Sequence, residues 1–194
     1  WDEGEQKLEW KSENSKSYRL TEEQKREIEH AKQQAQMAQE VEWTKAAKRA
    51  QTIWERSNQC DIHPYLEKKG VASYGLRQSI SDTFGPKQDC LIVPGYNRNL
   101  NIQTIQYISA DGDKRYLRGA KAKGAFFMVG GDGLDTSQVI NYAEGYATAA
   151  SYFEATQEPV IVTFSAGNLP PVAEIIYSLY PQAKHVFIAD FDES

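Results

Sequence analysis

Cysteine and histidine are scarce in this sequence, which has only two cysteines and three histidines among 194 residues. The two cysteines, Cys60 and Cys90, lie far apart and lack the close spacing that metal-binding cysteines have. We therefore expect two reduced thiols inside a cytoplasmic protein, and neither a zinc site nor a disulfide.

Long apolar runs are also missing. No stretch approaches the roughly 20 apolar residues that a membrane-spanning helix needs, and the first residues do not have the pattern of a signal peptide. The sequence contains no GxxxxGK[ST] phosphate-binding pattern and no Ser-His-Asp arrangement. We therefore expect a cytoplasmic protein without a membrane partner.

Residues 1–59 form a charged segment that contains no proline and a single glycine, Gly4. Thr21 and Gln24 have the spacing of a capping box, which marks the start of a helix. The apolar residues that follow recur at intervals of three and four: Ile28, Ala31, Ala35 and Ala38, then Trp43, Ala47, Ala50 and Trp54. This spacing predicts a long helix, or two in line, whose second half packs on the next domain as a linker or brace. Residues 1–18 are predicted to be disordered.

Residues 60–135 have the pattern of an antiparallel subdomain. "HPYLEKKG" predicts a short helix that ends at Gly70, and an Asp-Gly turn signal lies in "SADGD". Four runs predict a meander: "CLIVPGY" (90–96), "NIQTIQYI" (101–108), "KRYLRG" (114–119) and "AFFMVGG" (125–131). The third run and the loop after it carry five cations with no acid between them: Lys114, Arg115, Arg118, Lys121 and Lys123.

Residues 136–194 predict the order strand, helix, strand, helix, strand. The strands are 138–143, 159–164 and 185–192, and the helices are 145–156 and 168–179, with Asn168 as a possible cap and prolines in the first turn. Apolar strands of this kind suit a parallel sheet covered on both faces. The predicted fold class is therefore α/β, or α+β for the whole chain, with domains at 1–59, 60–135 and 136–194.

Three carboxylates are placed at strand ends in this last segment. Glu144 follows the first strand, and Asp190 and Asp192 close the third, on the same side of it. Ligands bind at the carboxyl ends of strands in such sheets. If the two strands are neighbours, the three carboxylates converge and need a cation, for which oxygen ligands indicate Mg²⁺ or Mn²⁺. Alternatively, Glu144 is a helix-start residue and the aspartates belong to a solvated loop.

The chain resembles a known family at this point. "EGYAT" (144–148), "SAGNL" (165–169) and Asp190-Phe191-Asp192 resemble a Toprim domain, the metal-binding catalytic fold of bacterial primases and topoisomerases. "HPYLEKKGV", "YGLR", "LIVPGYN", "IQTIQYI", "DGDKRYLRG" and "EGYATAAS" resemble the primase domains of conjugative plasmids, integrative elements and phage-satellite helicase-primases. The resemblance covers residues 61–194. It lacks the glycine-rich continuation and the strands expected after Asp192, so a C-terminally truncated Toprim sheet is predicted.

The resemblance implies a DNA primase that makes short RNA primers on single-stranded DNA during plasmid or mobile-element replication or conjugation. It implies that Glu144, Asp190 and Asp192 are the catalytic and metal-binding residues. The five cations would hold template or ribonucleoside triphosphate, Ser165 and Asn168 would touch metal or phosphate, and Tyr107 and Tyr116 are candidates for base stacking or for sheet packing. Other domains of a parent protein, helicase or relaxase, are expected partners.

Two alternatives stay open. One is a Toprim-type nuclease, and the other is a non-catalytic DNA-binding or docking module of a larger relaxase or replication protein. Because the predicted sheet is incomplete, we expect weak metal affinity and little primer synthesis from residues 1–194 alone.

Overall fold

A computed structural model describes residues 20–131 and 139–189 of the chain. The helices are α1 (Glu22–Arg56), α2 (Pro64–Lys69), α3 (Tyr146–Thr156) and α4 (Leu169–Leu179), with a 3₁₀ turn at Ala166–Asn168 before α4. The strands are β1 (Asn58–Gln59), β2 (Arg77–Ser81), β3 (Gln88–Tyr96), β4 (Ile102–Ile108), β5 (Lys114–Tyr116), β6 (Phe127–Val129), β7 (Val139–Ala143), β8 (Val160–Val162) and β9 (Lys184–Phe187).

The predicted long helix is present as one continuous helix, α1. Its capping box is formed, since the backbone N–H of Thr21 donates to Gln24 Oε1 at 2.9 Å and the Gln24 N–H donates to Thr21 Oγ1 at 3.2 Å. Among the described residues, those up to Ala38 belong to one unit and those from Gln39 to a second. The disorder predicted for residues 1–18 lies outside the described residues.

The part of α1 within the second unit packs on the antiparallel sheet, as predicted. Ala46 and Ala50 are fully buried, and Ala50 lies in an apolar cluster with Ile92 and Ile105 from the sheet. Alanine at these positions lets the helix backbone approach the strands closely. The predicted stripe is confirmed, since Ala50 is buried and Trp43, Ala47 and Trp54 are half-buried, and the buried Ala46 widens it.

The first sheet has five antiparallel strands in the order β1-β2-β3-β4-β5. β3, β4 and β5 are the first three predicted strands, and the Asp-Gly turn joins β4 to β5 with the Gly112 N–H donating to the Ser109 carbonyl. The fourth predicted strand is misplaced in the meander, because β6 pairs with β8 in the other sheet. β2 also belongs to this sheet, but the sequence analysis did not predict it. Four of its five residues are half-buried, so it lacks the alternation of apolar and polar residues that marks a strand.

The second sheet has the order β6-β8-β7-β9, with β8 and β9 both parallel to β7 and β6 antiparallel to β8. It is therefore mixed and not wholly parallel. Alternate residues of β8 serve the two faces: Val160 and Val162 join the cluster that includes α3, and Ile161 joins the cluster that includes α4. The sheet is thus covered on both faces, and β7, one of the two inner strands among those described, ends immediately before Glu144.

No helix within residues 20–131 or 139–189 combines the length and apolarity needed to cross a membrane.

Candidate active site

Glu144 is the exposed residue between a buried strand and a helix. Tyr142 and Ala143 are fully buried and fix the end of β7, so the next side chain emerges at the carboxyl edge of the sheet. Gly145 then caps α3 in an extended conformation and supplies no side chain to the cap. A Cβ atom on Gly145 would lie 3.3 Å from Lys114 Nζ, so the small residue leaves room for an ammonium group beside the glutamate.

The end of β9 reaches the same edge as Glu144. Tyr142 of β7 is paired with Phe187 of β9, and the Ile188 N–H donates to the Tyr142 carbonyl at 2.8 Å. The first and third predicted strands of this segment are therefore neighbours in the sheet. Asp190 and Asp192 follow in the sequence but lie outside the described residues, so their convergence with Glu144 stays a prediction.

The divalent cation expected from the resemblance stays a prediction, and Glu144 is the one expected ligand that lies within the described residues. The Glu144 carboxylate is an oxygen donor of the kind that Mg²⁺ and Mn²⁺ take, and it is exposed at the sheet edge. Within residues 20–131 and 139–189 no three His, Cys, Asp or Glu side chains are grouped closely enough to hold a metal. A complete ligand set would need Asp190 and Asp192.

A cleft of about 240 Å³ adjoins Glu144. Its walls come from α2, the β4–β5 turn, β5 and the start of α3: Tyr65, Lys68, Lys69, Asp111, Gly112, Lys114, Glu144, Gly145, Ala147 and Thr148. Lys68 and Lys69 are residues that the sequence interpretation missed. Two consecutive lysines before Gly70 were available as a signal, but lysines are also favoured in the last turn of a helix because of its dipole.

A second pocket lies near Glu144 and is lined by Tyr116, Lys123, Ser165 and Asn168, with Ala122 and Gly167. Burial raises the pKa of Tyr116 to about 12, a hydrogen bond with Ser165 acts against this rise, and the charge of Glu144 adds to it. The Glu144 carboxylate is therefore close enough to Tyr116 to affect the ionisation of its hydroxyl group. The Tyr116 ring is half-buried and meets Phe164 edge-on at 6.1 Å between centroids.

The structure divides the predicted basic cluster between different surroundings. Lys114 lines the cleft beside Glu144, and Lys123 lines the Tyr116 pocket. Arg115 points elsewhere, donating from Nη1 to the Thr83 carbonyl at 2.9 Å and lying 5.4 Å from the centroid of the Phe84 ring.

The other two cations, Arg118 and Lys121, lie with Lys123 in a loop, residues 117–124. We call it the basic loop, and it contacts α1. The Arg118 carbonyl accepts a hydrogen bond from Arg49 Nη2 at 2.9 Å. Lys121 Nζ lies 4.8 Å from the centroid of the Trp43 ring. The charged helix thus supports the basic loop, and two of the five predicted cations lie directly at the two pockets near Glu144.

Two predicted side chains are engaged inside the protein. Asn168 is buried, and its side chain bonds the Gly124 N–H and the carbonyls of Ala125 and Thr163 at 2.7–2.8 Å. Asn168 is the N-cap residue of α4, as predicted, but its side chain makes no capping hydrogen bond to the helix. Tyr107 is 5% exposed and packs against α1, which leaves its ring no free face for stacking on a base.

Comparison with known proteins places the chain beside primases. It is 33% identical over 191 residues to DNA primase TraC of Escherichia coli, and this match covers 95% of the chain. A second DNA primase TraC of Escherichia coli is 35% identical over 130 residues, 66% of the chain. The chain spans only 12% of the length of each relative. No protein-family model matches it.

Solved structures with a similar fold are also primases. The primase fragment of the bacteriophage T7 primase-helicase protein superposes with a TM-score of 0.52, at 17% identity, over 72% of this chain and 59% of that one. A phage T7 structure, in which the lagging-strand DNA polymerase interacts with primase domains of two gp4 subunits bound to an RNA/DNA hybrid and dTTP, gives 0.50 over 71% and 68%. At this identity the likeness shows a shared primase-type fold.

Proposed function

We propose that this chain is the catalytic core of a DNA primase that uses a divalent metal to synthesise short RNA primers on single-stranded DNA. The observation that carries the proposal is the position of Glu144. It is an exposed carboxylate at the carboxyl end of β7, between two pockets that contain lysines. It stands in a chain of which 191 residues align with DNA primase TraC. The strand order around β7 and the adjacent β9 support assigning the second sheet to the Toprim type.

The proposed reaction joins two ribonucleotides. A 3′-hydroxyl attacks the α-phosphate of a ribonucleoside triphosphate, the bond to the β-phosphate breaks, and pyrophosphate leaves. No protein nucleophile is required. Glu144, with Asp190 and Asp192, would hold Mg²⁺ or Mn²⁺, and the bound metal would lower the pKa of the attacking hydroxyl and neutralise phosphate charge.

The chain's own cations would position the two substrates. Lys114, beside Gly145, is placed to attract phosphates to the edge where Glu144 lies. The basic loop, held by Arg49 and Trp43, would bind the phosphates of the single-stranded template, with an affinity that falls as salt rises. Tyr116 remains a candidate for stacking because its ring lines a pocket. Helicase or relaxase domains of a parent protein are the proposed partners in plasmid or mobile-element replication or conjugation.

The test is template-directed ribonucleotide incorporation with Mg²⁺ or Mn²⁺, measured for the 194-residue chain and for a version extended past Ser194. We expect little synthesis from the shorter form and clear synthesis from the longer one. Glu144→Gln should reduce incorporation by at least about a hundredfold, because a metal-held charge contributes several kcal/mol. Glu174→Gln, at an exposed position on α4, is the matched control and should leave incorporation unchanged.

The alternatives have different outcomes in this assay. Cleavage of the DNA strand without incorporation would indicate a nuclease. Neither reaction, together with no metal binding by the longer form, would indicate a docking module and would overturn the proposal. Unchanged incorporation by Glu144→Gln would remove Glu144 from the catalytic site.

A further inference from the structure

We infer that Tyr146 and Glu154 are positioning residues for Glu144. Both side chains bind residues 71–75, which we call the α2–β2 linker, to helix α3 immediately after the glutamate. The inference rests on the proposed function, because it concerns the placement of the carboxylate that we assign to catalysis. Neither residue is assigned a contact with metal or substrate, and both act through the backbone that presents Glu144.

Tyr146 joins the first turn of α3 to the α2–β2 linker through its hydroxyl group. The hydroxyl accepts the Tyr74 N–H at 2.8 Å and donates to the Ala72 carbonyl at 2.8 Å. The side chain is fully buried, and burial raises the pKa of Tyr146, so the hydroxyl keeps the proton that it donates. Loss of either bond would leave a polar group without a partner, so the ring is held in one place.

Glu154 holds the same linker from a second point on α3. Its Oε1 atom accepts the Ala72 N–H at 2.9 Å and the Tyr74 hydroxyl at 3.0 Å. The Tyr74 ring also meets the Phe153 ring edge-on, with 5.1 Å between centroids. Glu154 lies about two turns beyond Tyr146 along the helix. The linker is therefore fixed to α3 at two points and cannot turn about either one alone.

The position of Glu144 depends on how α3 is set on the end of β7. The strand ends at Ala143 and the helix begins at Tyr146, so Glu144 lies in the short junction between them. The direction of its carboxylate therefore follows from the angle at which α3 leaves the strand. Because Tyr146 is the first residue of the helix, the two hydrogen bonds of its hydroxyl fix this angle close to Glu144.

The linker carries the same constraint to the opposite wall of the cleft. Helix α2 ends immediately before the linker, at Gly70, and α2 and Glu144 line the cleft together. The hydrogen bonds of Tyr146 and Glu154 therefore fix the distance between α2 and the junction after β7. Such pre-organisation matters for catalysis, because displacing a reacting group by about 1 Å can reduce the rate by about a hundredfold.

Glu154 and Glu158 form a matched pair for testing this role. Glu158 is also exposed, and its Oε2 atom accepts from Asn141 Nδ2 at 3.0 Å and from the Tyr152 hydroxyl at 3.2 Å. These partners belong to β7 and α3 and not to the α2–β2 linker. Removing either carboxylate therefore removes similar hydrogen bonds, but only the loss of Glu154 releases the linker.

The first measurement is the ¹³C chemical shift of the Glu144 carboxyl carbon in the 194-residue chain, assigned by its loss in Glu144→Gln. We expect Glu154→Ala to move this signal, because the junction shifts when the linker is released. Glu154→Gln keeps an accepting oxygen and should leave the signal in place. Glu158→Ala should also leave it in place, although it lowers the midpoint of urea unfolding about as much as Glu154→Ala does.

The second measurement is ribonucleotide incorporation by the version extended past Ser194, expressed per folded molecule. Glu154→Ala and Tyr146→Phe should lower kcat by about ten- to a hundredfold. KM should change much less, because these variants displace a reacting group and remove no contact with substrate. Glu154→Gln and Glu158→Ala should retain the kcat of the unmodified protein.

Equal losses of kcat in Glu154→Ala and Glu158→Ala would show that both act through general stability and would overturn the inference. An unmoved Glu144 signal in Glu154→Ala would also overturn it. Primer synthesis that is unaffected by Glu154→Ala would reject the positioning role and leave the proposed function standing. A Glu144 signal that moves in Glu154→Ala but not in Glu158→Ala, in a protein that makes no primers, would support the positioning and reject the primase.

Discussion

The ammonium group of Lys121 lies 4.8 Å from the centroid of the Trp43 ring, so helix α1 and the basic loop are joined by a cation–π contact. A second contact reinforces the first, because Arg49 Nη2 donates to the Arg118 carbonyl at 2.9 Å. The part of α1 that carries Trp43 and Arg49 therefore belongs to the surface that we propose for template binding.

Replacing Trp43 with leucine should loosen the basic loop. An exposed cation–π contact contributes about 0.5–1 kcal/mol, so local opening should increase and trypsin should cleave within residues 117–124 about two to five times faster. Trp43→Phe keeps an aromatic face and should cleave at a rate closer to that of the unmodified chain. Equal cleavage rates for all three proteins would show that Trp43 does not support the loop.

The stability of the protein should depend on the ionisation of His63. This histidine is 1% exposed, and its Nδ1 accepts the Tyr65 N–H at 3.2 Å to cap α2. Burial lowers the pKa of His63 below its usual 6.5, and the nearby Asp89 carboxylate opposes this effect without overcoming it. The unfolded chain therefore takes up the proton at a higher pH than the folded chain does.

It follows that the contribution of His63 to stability is fully present above pH 6.5 and is lost as pH falls through that value, by at most about 1.4 kcal/mol per pH unit. Urea unfolding between about pH 8 and pH 5 measures this slope. His63→Asn retains a capping oxygen but does not ionise, so its slope should be smaller. His30→Asn, on an exposed face of α1, should keep the original slope.

Asn168 should be essential for stability whatever its relation to substrate. Asn168→Ala leaves one N–H and two carbonyls without their partners and should lower the free energy of unfolding by about 2–4 kcal/mol. Asn168→Asp should do at least as much harm, because a carboxylate oxygen would face two carbonyl oxygens. Asn99→Ala, in an exposed turn, is the control for urea unfolding. A stable Asn168→Ala protein would contradict the structural role.

Gly95 should tolerate no side chain unless its neighbour is made smaller. A Cβ atom on Gly95 would lie 2.6 Å from Thr104 Cγ2 and 3.1 Å from Ala125 Cβ, so Gly95→Ala should cost about 1–3 kcal/mol. Thr104→Ser removes the Cγ2 methyl group, and combining it with Gly95→Ala should restore part of the loss. Gly167→Ala meets nothing within 4 Å and should be nearly neutral. If the stability losses of Gly95→Ala and Thr104→Ser simply add in the double variant, the strain does not arise from contact between these two residues.

Local patterns in the sequence were sufficient for most individual elements. The capping box of α1, the termination of α2 at Gly70 and the Asp-Gly turn before β5 each depend on residues within a few positions of one another. The apolar strand before Glu144 and the alanine-rich helix after it were predictable for the same reason. Glu144 was identifiable because its position depends only on where one strand ends.

Only the tertiary structure decided which elements are neighbours and what each polar side chain contacts. β6 follows the meander in sequence, but its alternating residues fit the two faces of the second sheet, so it pairs with β8. Asn168 has the sequence context of a helix cap, yet its amide bonds the chain near Gly124, 44 residues away. The cleft next to Glu144 lies between α2 and the start of α3. These segments are far apart in the sequence, so no spacing pattern predicts that they meet. Local hydrogen bonding and periodicity therefore determined the elements, and burial of their apolar faces determined where the charges of the candidate site came together.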